Sequence, residues 1–206
     1  MKNELVREHA SFSFIIDNFL ELNEEQINKI FHSTIPANIL ITPSIQSDSL
    51  LRKITTNKKT YSVLINNEIE NDNYLLKPEL SKKRLRESIR YIVWNYPDAQ
   101  LYIIDDNSKL FNSAVFNFVR DEFAVRNINL FPLKDFITIS SNYNDAVSLL
   151  KFYLESGIGK KGKFIILNSK TFYELENFLI ENKQRGTKYY SPAELMEINS
   201  SLERVN

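Results

Sequence analysis

The chain has 206 residues, 43% hydrophobic and 25% charged, a globular balance that excludes disordered and membrane-embedded classes. Its 26 basic and 26 acidic residues cancel, so no overall field gathers phosphate, and neither nucleic acid nor anionic membrane is an expected partner. There is no cysteine, which excludes disulfide and thiolate chemistry. The two histidines, His9 and His32, are too few for a usual catalytic zinc site.

Residues 1–10 form a polar leader without an apolar signal-peptide core, and no apolar run is long enough to span a bilayer. The first β-rich run covers residues 12–17 and ends in Asp17-Asn18. A helical stretch over 24–31 comes next, with His32 just beyond it and Pro36 closing it. Strands are predicted at 38–42, before Pro43-Ser44, and at 61–66, before the loop-like stretch 66–73 with Asn66, Asn67, Glu68 and Glu70. Leu85, Ile89, Ile92 and Val93 recur at i, i+4, i+7 and i+8, the stripe of an amphipathic helix.

A strand at 101–105 ends in Asp105-Asp106-Asn107, and 113–125 reads as helix. The run 128–133 reads as strand, extendable through 136–139 past Asp135. Ala146, Leu149, Leu150, Tyr153 and Leu154 make the next helical stripe, before a strand at 163–167 ending in Asn168-Ser169. Phe172, Leu175 and Leu179 belong to a helix with Thr171 and Glu174 as its capping box and Gly186 as its stop. A strand at 188–190 precedes Ser191.

Most of these strands are continuous apolar runs, as in parallel sheets buried on both faces, so the chain is read as repeated βα units in one α/β domain over 11–198. Residues 199–206 are left as a tail. A deformed or incomplete (β/α) barrel and an open doubly wound sheet both remain open. In either, ligands bind at the carboxyl ends of the strands, where acid and amide side chains gather here. Asn, Asp and Ser are equally the residues of turns and helix caps.

The run GIGKKGK at 157–163 has phosphate-loop spacing up to its last position, but it comes after a helix and opens a strand, and Phe164 stands in the magnesium-binding place. It is a connector. With no glycine-rich turn after a strand, a nucleotide- or phosphate-binding open sheet is the least favoured function.

The order of segments resembles the divergent polysaccharide deacetylases, a family of deformed (β/α) barrels. The resemblance is one of pattern and covers most of the chain. Phe14-Ile15-Ile16-Asp17-Asn18 is similar to the family's opening strand, which ends in Asp-Asp. Ile35 through Pro43 resembles its second strand, and Val63 through Glu70 resembles a Leu-His-Leu-Pro-Met-Glu stretch. Residues 97–109 resemble its Asn-Asn-His-Met-Gly-Ser segment, 163–169 its strand ending Gly-His-Pro, and 186–195 its closing Gly-Ile-x-Leu-Val-Pro-Val-Ser-x-Leu.

Such deacetylases hold a divalent metal with an Asp and two His, beside a catalytic Asp. The resemblance places Asp17 at the first acid of the pair and Asn18 at the second. It places Asn66, Asp105 and Asn168 where histidines would stand. The expectation is a non-catalytic relative that binds a glycan or a protein through Asn18, Asn66, Glu68, Asp105, Asp106 and Asn168, without a metal or other cofactor. The alternative is a carbohydrate hydrolase or deacetylase with a carboxylate-based site in which Asp17 and Glu70 are catalytic, or an all-oxygen divalent-metal site that adds Glu68, Asp105 and Asp106. The resemblance also implies an exported, periplasmic protein, which the polar leader does not support.

Overall fold

Strand and helix alternate along the whole described chain, and every strand pairing is parallel. The structure is a computed structural model that describes residues 9–44, 47–139, 142–158 and 160–205. Most of the polar leader and Gly159 of the GIGKKGK run lie outside the described residues. The chain divides into two compact units, one that runs up to Ala37 and resumes at Ile137, the other Asn38–Phe136.

In the first unit, β1 (Ser11–Asp17) pairs in parallel with β7 (Lys163–Asn168), from Phe12 opposite Lys163 to Asp17 opposite Asn168. β6 (Ile137–Thr138) joins the other edge of β7, and β8 (Lys188–Tyr189) pairs with β1. The helices are α1 (Glu24–His32), α5 (Tyr143–Ser156), α6 (Ser169–Gln184) and α7 (Pro192–Val205). Phe14 fits between Phe172 of α6 and Tyr189 of β8, with ring centroids 6.0 and 5.3 Å away.

The second unit is built from β2 (Ala37–Ile41), α2 (Ser47–Thr56), β3 (Thr60–Ile65), α3 (Lys82–Asn95), β4 (Tyr102–Ile104), α4 (Phe116–Ala124) and β5 (Leu130–Pro132). These strands pair in parallel in the order of the chain. Leu85, Ile89 and Ile92 of α3 are fully buried, as their spacing predicts. Tyr96 is buried beneath the rings of Tyr61 and Tyr74, and its hydroxyl meets the Ser47 hydroxyl at 2.6 Å. Burial pushes the Tyr61 phenol up to about 12.

Several local expectations need correction. The run at 128–139 is not one strand, because a 3-10 turn at Leu133–Asp135 separates β5 from β6 and the two pair with different neighbours. Pro132 has no N–H to continue a ladder. Thr171 and Glu174 do not cap α6, since Asn168 is its N-cap and Thr171 lies buried inside the helix. Capping boxes stand instead at α1, where Asn23 and Gln26 bond reciprocally, and at α7, where Ser191 and Glu194 do.

The helices α2 and α7 have no counterpart among the expected elements. α2 is short and rich in Ser and Thr, and Ser44 and Ser47 hold its start by exchanging N–H to hydroxyl bonds. Gly186 ends α6 as expected, at a φ of +106° where an L side chain would be strained.

Gly162 is glycine because of packing. A Cβ there would lie 2.2 Å from Cδ1 of the fully buried Leu195. Gly162→Ala is expected to cost about 1–3 kcal/mol by overpacking, read as a lowered urea midpoint with an unchanged slope. Relief of that loss by Leu195→Ala in the double variant checks the cause.

The packing of α3 on α4 carries the unit's main ion-pair cluster, with Glu122 accepting from Arg86 at 2.8 Å and Arg126 at 3.2 Å. The Arg86 guanidinium holds the Glu122 carboxyl below its ordinary range. A depressed acid stabilises the fold above its unfolded pKa, and that contribution is lost as pH falls through the folded value. Glu122→Gln should therefore lower the melting temperature at neutral pH, by the few degrees that about 1 kcal/mol gives. The difference from wild type should close in acid, which melting curves across pH would show.

Candidate functional site

Parallel register sets the geometry of the strand ends. In the first unit, Asp17 and Asn168 are direct ladder partners at the ends of β1 and β7. Asn18, next along, is exposed and left-handed at φ 54° and ψ 37°, a conformation that Asn tolerates. Its N–H donates to Asp17 Oδ1 at 2.7 Å, and its carbonyl accepts from the Ser169 hydroxyl at 2.8 Å. Asn168 Oδ1 accepts from the Lys170 N–H at 2.9 Å and so caps α6. Asp17, Asn18 and Asn168 therefore lie together, and the bond from Ser169 to Asn18 ties the two strand ends.

In the second unit, Asn66 and Glu68 fold onto each other. The Asn66 amide donates to Glu68 Oε2 at 3.2 Å and its Oδ1 accepts from the Glu68 N–H at 3.1 Å. Asp105 Oδ1 accepts from the Asn107 N–H, and Asp106 Oδ1 from the Lys134 N–H, each at 2.9 Å. These are the turn and tether roles that Asn and Asp commonly fill. Glu70 is exposed on the same loop as Glu68.

A pocket of about 400 Å³ opens beside Asn66 and Asn67, where the loop after β3 meets the loop after β4. The Lys109 N–H donates to Asn67 Oδ1 at 3.2 Å and joins these loops. Ile69, Leu75 and Leu76 give the pocket apolar wall, while Lys77, Glu79 and Lys109 with the two amides give it a polar one. Of the expected site residues, Asn66 lines this pocket, whereas Glu68, Glu70, Asp105 and Asp106 do not. The sequence reading missed Lys77, Glu79 and Lys109, whose only signal was their place in the segments after β3 and β4.

The divalent metal implied by the resemblance does not fit these residues. His32 ends α1 with Nδ1 2.7 Å from the Asn28 carbonyl oxygen, and the His9 ring lies over Gly186. Neither belongs to a strand-end turn. An amide oxygen is a weaker donor than imidazole, and that of Asn168 is committed to its helix. Among the described residues no three His, Asp or Glu side chains converge as a metal-holding group.

Solved structures place the fold. The described chain is a deformed (β/α) barrel of the kind found in the CE4 polysaccharide deacetylases, active and inactive alike. The catalytic domain of a peptidoglycan N-acetylglucosamine deacetylase from Eubacterium rectale matches 89% of this chain with 88% of its own, at 9% identity and a TM-score of 0.58. A family 4 carbohydrate esterase from Streptomyces lividans, in complex with acetate, matches 90% with 94% of its own, at 11% identity and a TM-score of 0.53. A CE4-family pseudoenzyme from Bacillus anthracis matches 91% with 65% of its own, at 12% identity and a TM-score of 0.55. The chain thus spans about two thirds of that pseudoenzyme, of which a mutant with restored enzymatic activity is also similar. No family model matches the sequence, nor does the sequence of any curated protein. No helix among the described residues is long and apolar enough to cross a membrane.

If Asn168 serves α6 as its cap, Asn168→Ala should cost about 1 kcal/mol and lower the melting temperature by a few degrees. Asn168→Asp, which still accepts and suits a helix N-terminus, should melt at or above wild type. Calorimetry of the two variants checks this.

Proposed function

We propose that this protein is a non-catalytic relative of the polysaccharide deacetylases that binds a neutral glycan in the pocket beside Asn66 and Asn67. The observation that carries the reading is that pocket: about 400 Å³, apolar on one wall, with amide, ammonium and carboxylate groups on the other. The volume lies in the range of small-ligand sites. A sugar ring presents a C–H face and a rim of hydroxyls, each of which both donates and accepts. Amides can answer in both senses, and Lys77 and Lys109 add donors.

The reading of a non-catalytic protein is supported by the donor set. In hydrolysis of an N-acetyl group, a bound metal polarises the carbonyl and lowers the pKa of the attacking water. In the positions where the resemblance expects imidazoles, this chain offers two amides and a carboxylate, Asn66, Asn168 and Asp105, each of which accepts a bond from a backbone N–H. Deacetylation through a metal is therefore not the chemistry assigned to it. A glycan-binding role beside deacetylases would suit an exported protein.

Chitotetraose is the probe. Isothermal titration should show saturable binding to the wild-type chain, weakened about tenfold by Lys109→Ala, the loss of one hydrogen bond to a charged group. The backbone N–H of residue 109 that bonds Asn67 is untouched by this change. Zinc, magnesium, manganese and calcium should each leave the melting temperature unmoved. Release of acetate from the probe, or a rise in melting temperature with any of these ions, would sink the non-catalytic reading. Binding unaffected by Lys109→Ala would move the site elsewhere.

A further inference from the structure

The outward face of α3 carries a feature that the strand-end pocket does not absorb. While Leu85, Ile89 and Ile92 are buried, Lys82, Arg86, Arg90 and Trp94 succeed one another at four-residue spacing along an exposed ridge. Trp94 is the only tryptophan in the chain, and it is 78% exposed. Such exposure is unusual for a residue that is highly buried on average. Among the described residues of this unit, the other exposed large apolar side chains are Tyr91 and Val125, each next in sequence to an arginine of the same groove.

That groove has a volume of about 490 Å³ and is lined by Arg90, Val93, Trp94, Pro97 and Arg126. Its surface is apolar apart from the two guanidinium groups. Glu122 engages Nη1 of Arg126 at 3.2 Å and also neutralises Arg86, and Glu87 lies 3.7 Å from Arg84. Arg90 makes no ion pair among the described residues, and its guanidinium lies 5.9 Å from the Tyr91 ring centroid. The groove therefore offers a flat aromatic face beside a guanidinium with no acidic partner among the described residues.

We propose that the Trp94 groove is a second binding site, specific for an acidic oligosaccharide whose ring lies on the indole and whose carboxylate is taken by Arg90. The C–H face of a pyranose covers an aromatic face of negative quadrupole, and the planar fork of arginine matches a carboxylate with two parallel bonds. The groove's volume of about 490 Å³ lies in the range of small-ligand sites. A membrane surface would be met by a protruding apolar face rather than by a groove. This site does not depend on the pocket beside Asn66, and the two can fail separately.

Because Trp94 is the sole tryptophan, its fluorescence reports this groove alone. Titration of the full chain with tetragalacturonate at low salt should give a saturable change in Trp94 emission. Arg90→Ala should weaken binding at least tenfold, and 0.5 M salt should weaken it as well, while Lys109→Ala should leave it unaltered. By calorimetry, Trp94→Ala, an exposed change, should remove the binding without lowering the melting temperature. No emission change, an equal response to neutral chitotetraose, or a response only to phosphatidylglycerol vesicles would each overturn the proposal.

Discussion

The parallel ladder is the constraint on which the rest of the structure depends. When neighbouring strands run the same way, their last residues lie side by side, and the loops that leave them start from one edge. Here Asp17 ends opposite Asn168, and Ile65 opposite Ile104, which in turn meets Pro132. Every polar residue just past these positions is delivered to the strand ends of its own unit. The hydrogen bonds from Ser169 to Asn18, from Lys109 to Asn67 and from Lys134 to Asp106 are consequences of that delivery.

Those bonds show what the strand-end side chains contribute to the fold. A loop that must leave a buried strand needs acceptors for its turning N–H groups, and side-chain oxygens of Asn and Asp supply them. In this chain Asn66, Asp105, Asp106 and Asn168 each give an oxygen to such an N–H. The single oxygen of an amide such as Asn66 or Asn168, once it accepts from a backbone N–H, is poorly placed to serve as a metal ligand. The same side chains therefore hold the rim together, and the pocket beside Asn66 and Asn67 is lined by amide, ammonium and carboxylate groups.

The neutral total charge conceals an uneven surface. α3 alone holds Lys82, Lys83, Arg84, Arg86 and Arg90 against Glu87. Arg84 and Arg86 are matched by neighbouring acids, while Lys82 and Arg90 of the row that ends at Trp94 make no ion pair among the described residues. At physiological salt, fields are screened within about 8 Å, so a partner meets this local face rather than the sum.

The sequence by itself determined which segments become strands and that they run parallel, because continuous runs such as those of β1, β2 and β3 are stable only where both faces of the sheet are covered. It also determined the stripes of α3, α5 and α6 and the stop at Gly186, since periodicity and a positive φ are local properties. Asp17, Asn18 and Asn168 were legible as strand-end residues for the same reason. The short α2 was not legible, nor was the break between β5 and β6, because they rest on Ser44 with Ser47 and on Asp106 with Lys134, bonds that no periodicity announces. Only the tertiary structure decided that Lys77, Glu79 and Lys109 share a pocket with Asn66 and that Trp94 stands in water beside two arginines. Such groupings join residues distant along the chain, and the path of the backbone in space alone sets which of them become neighbours.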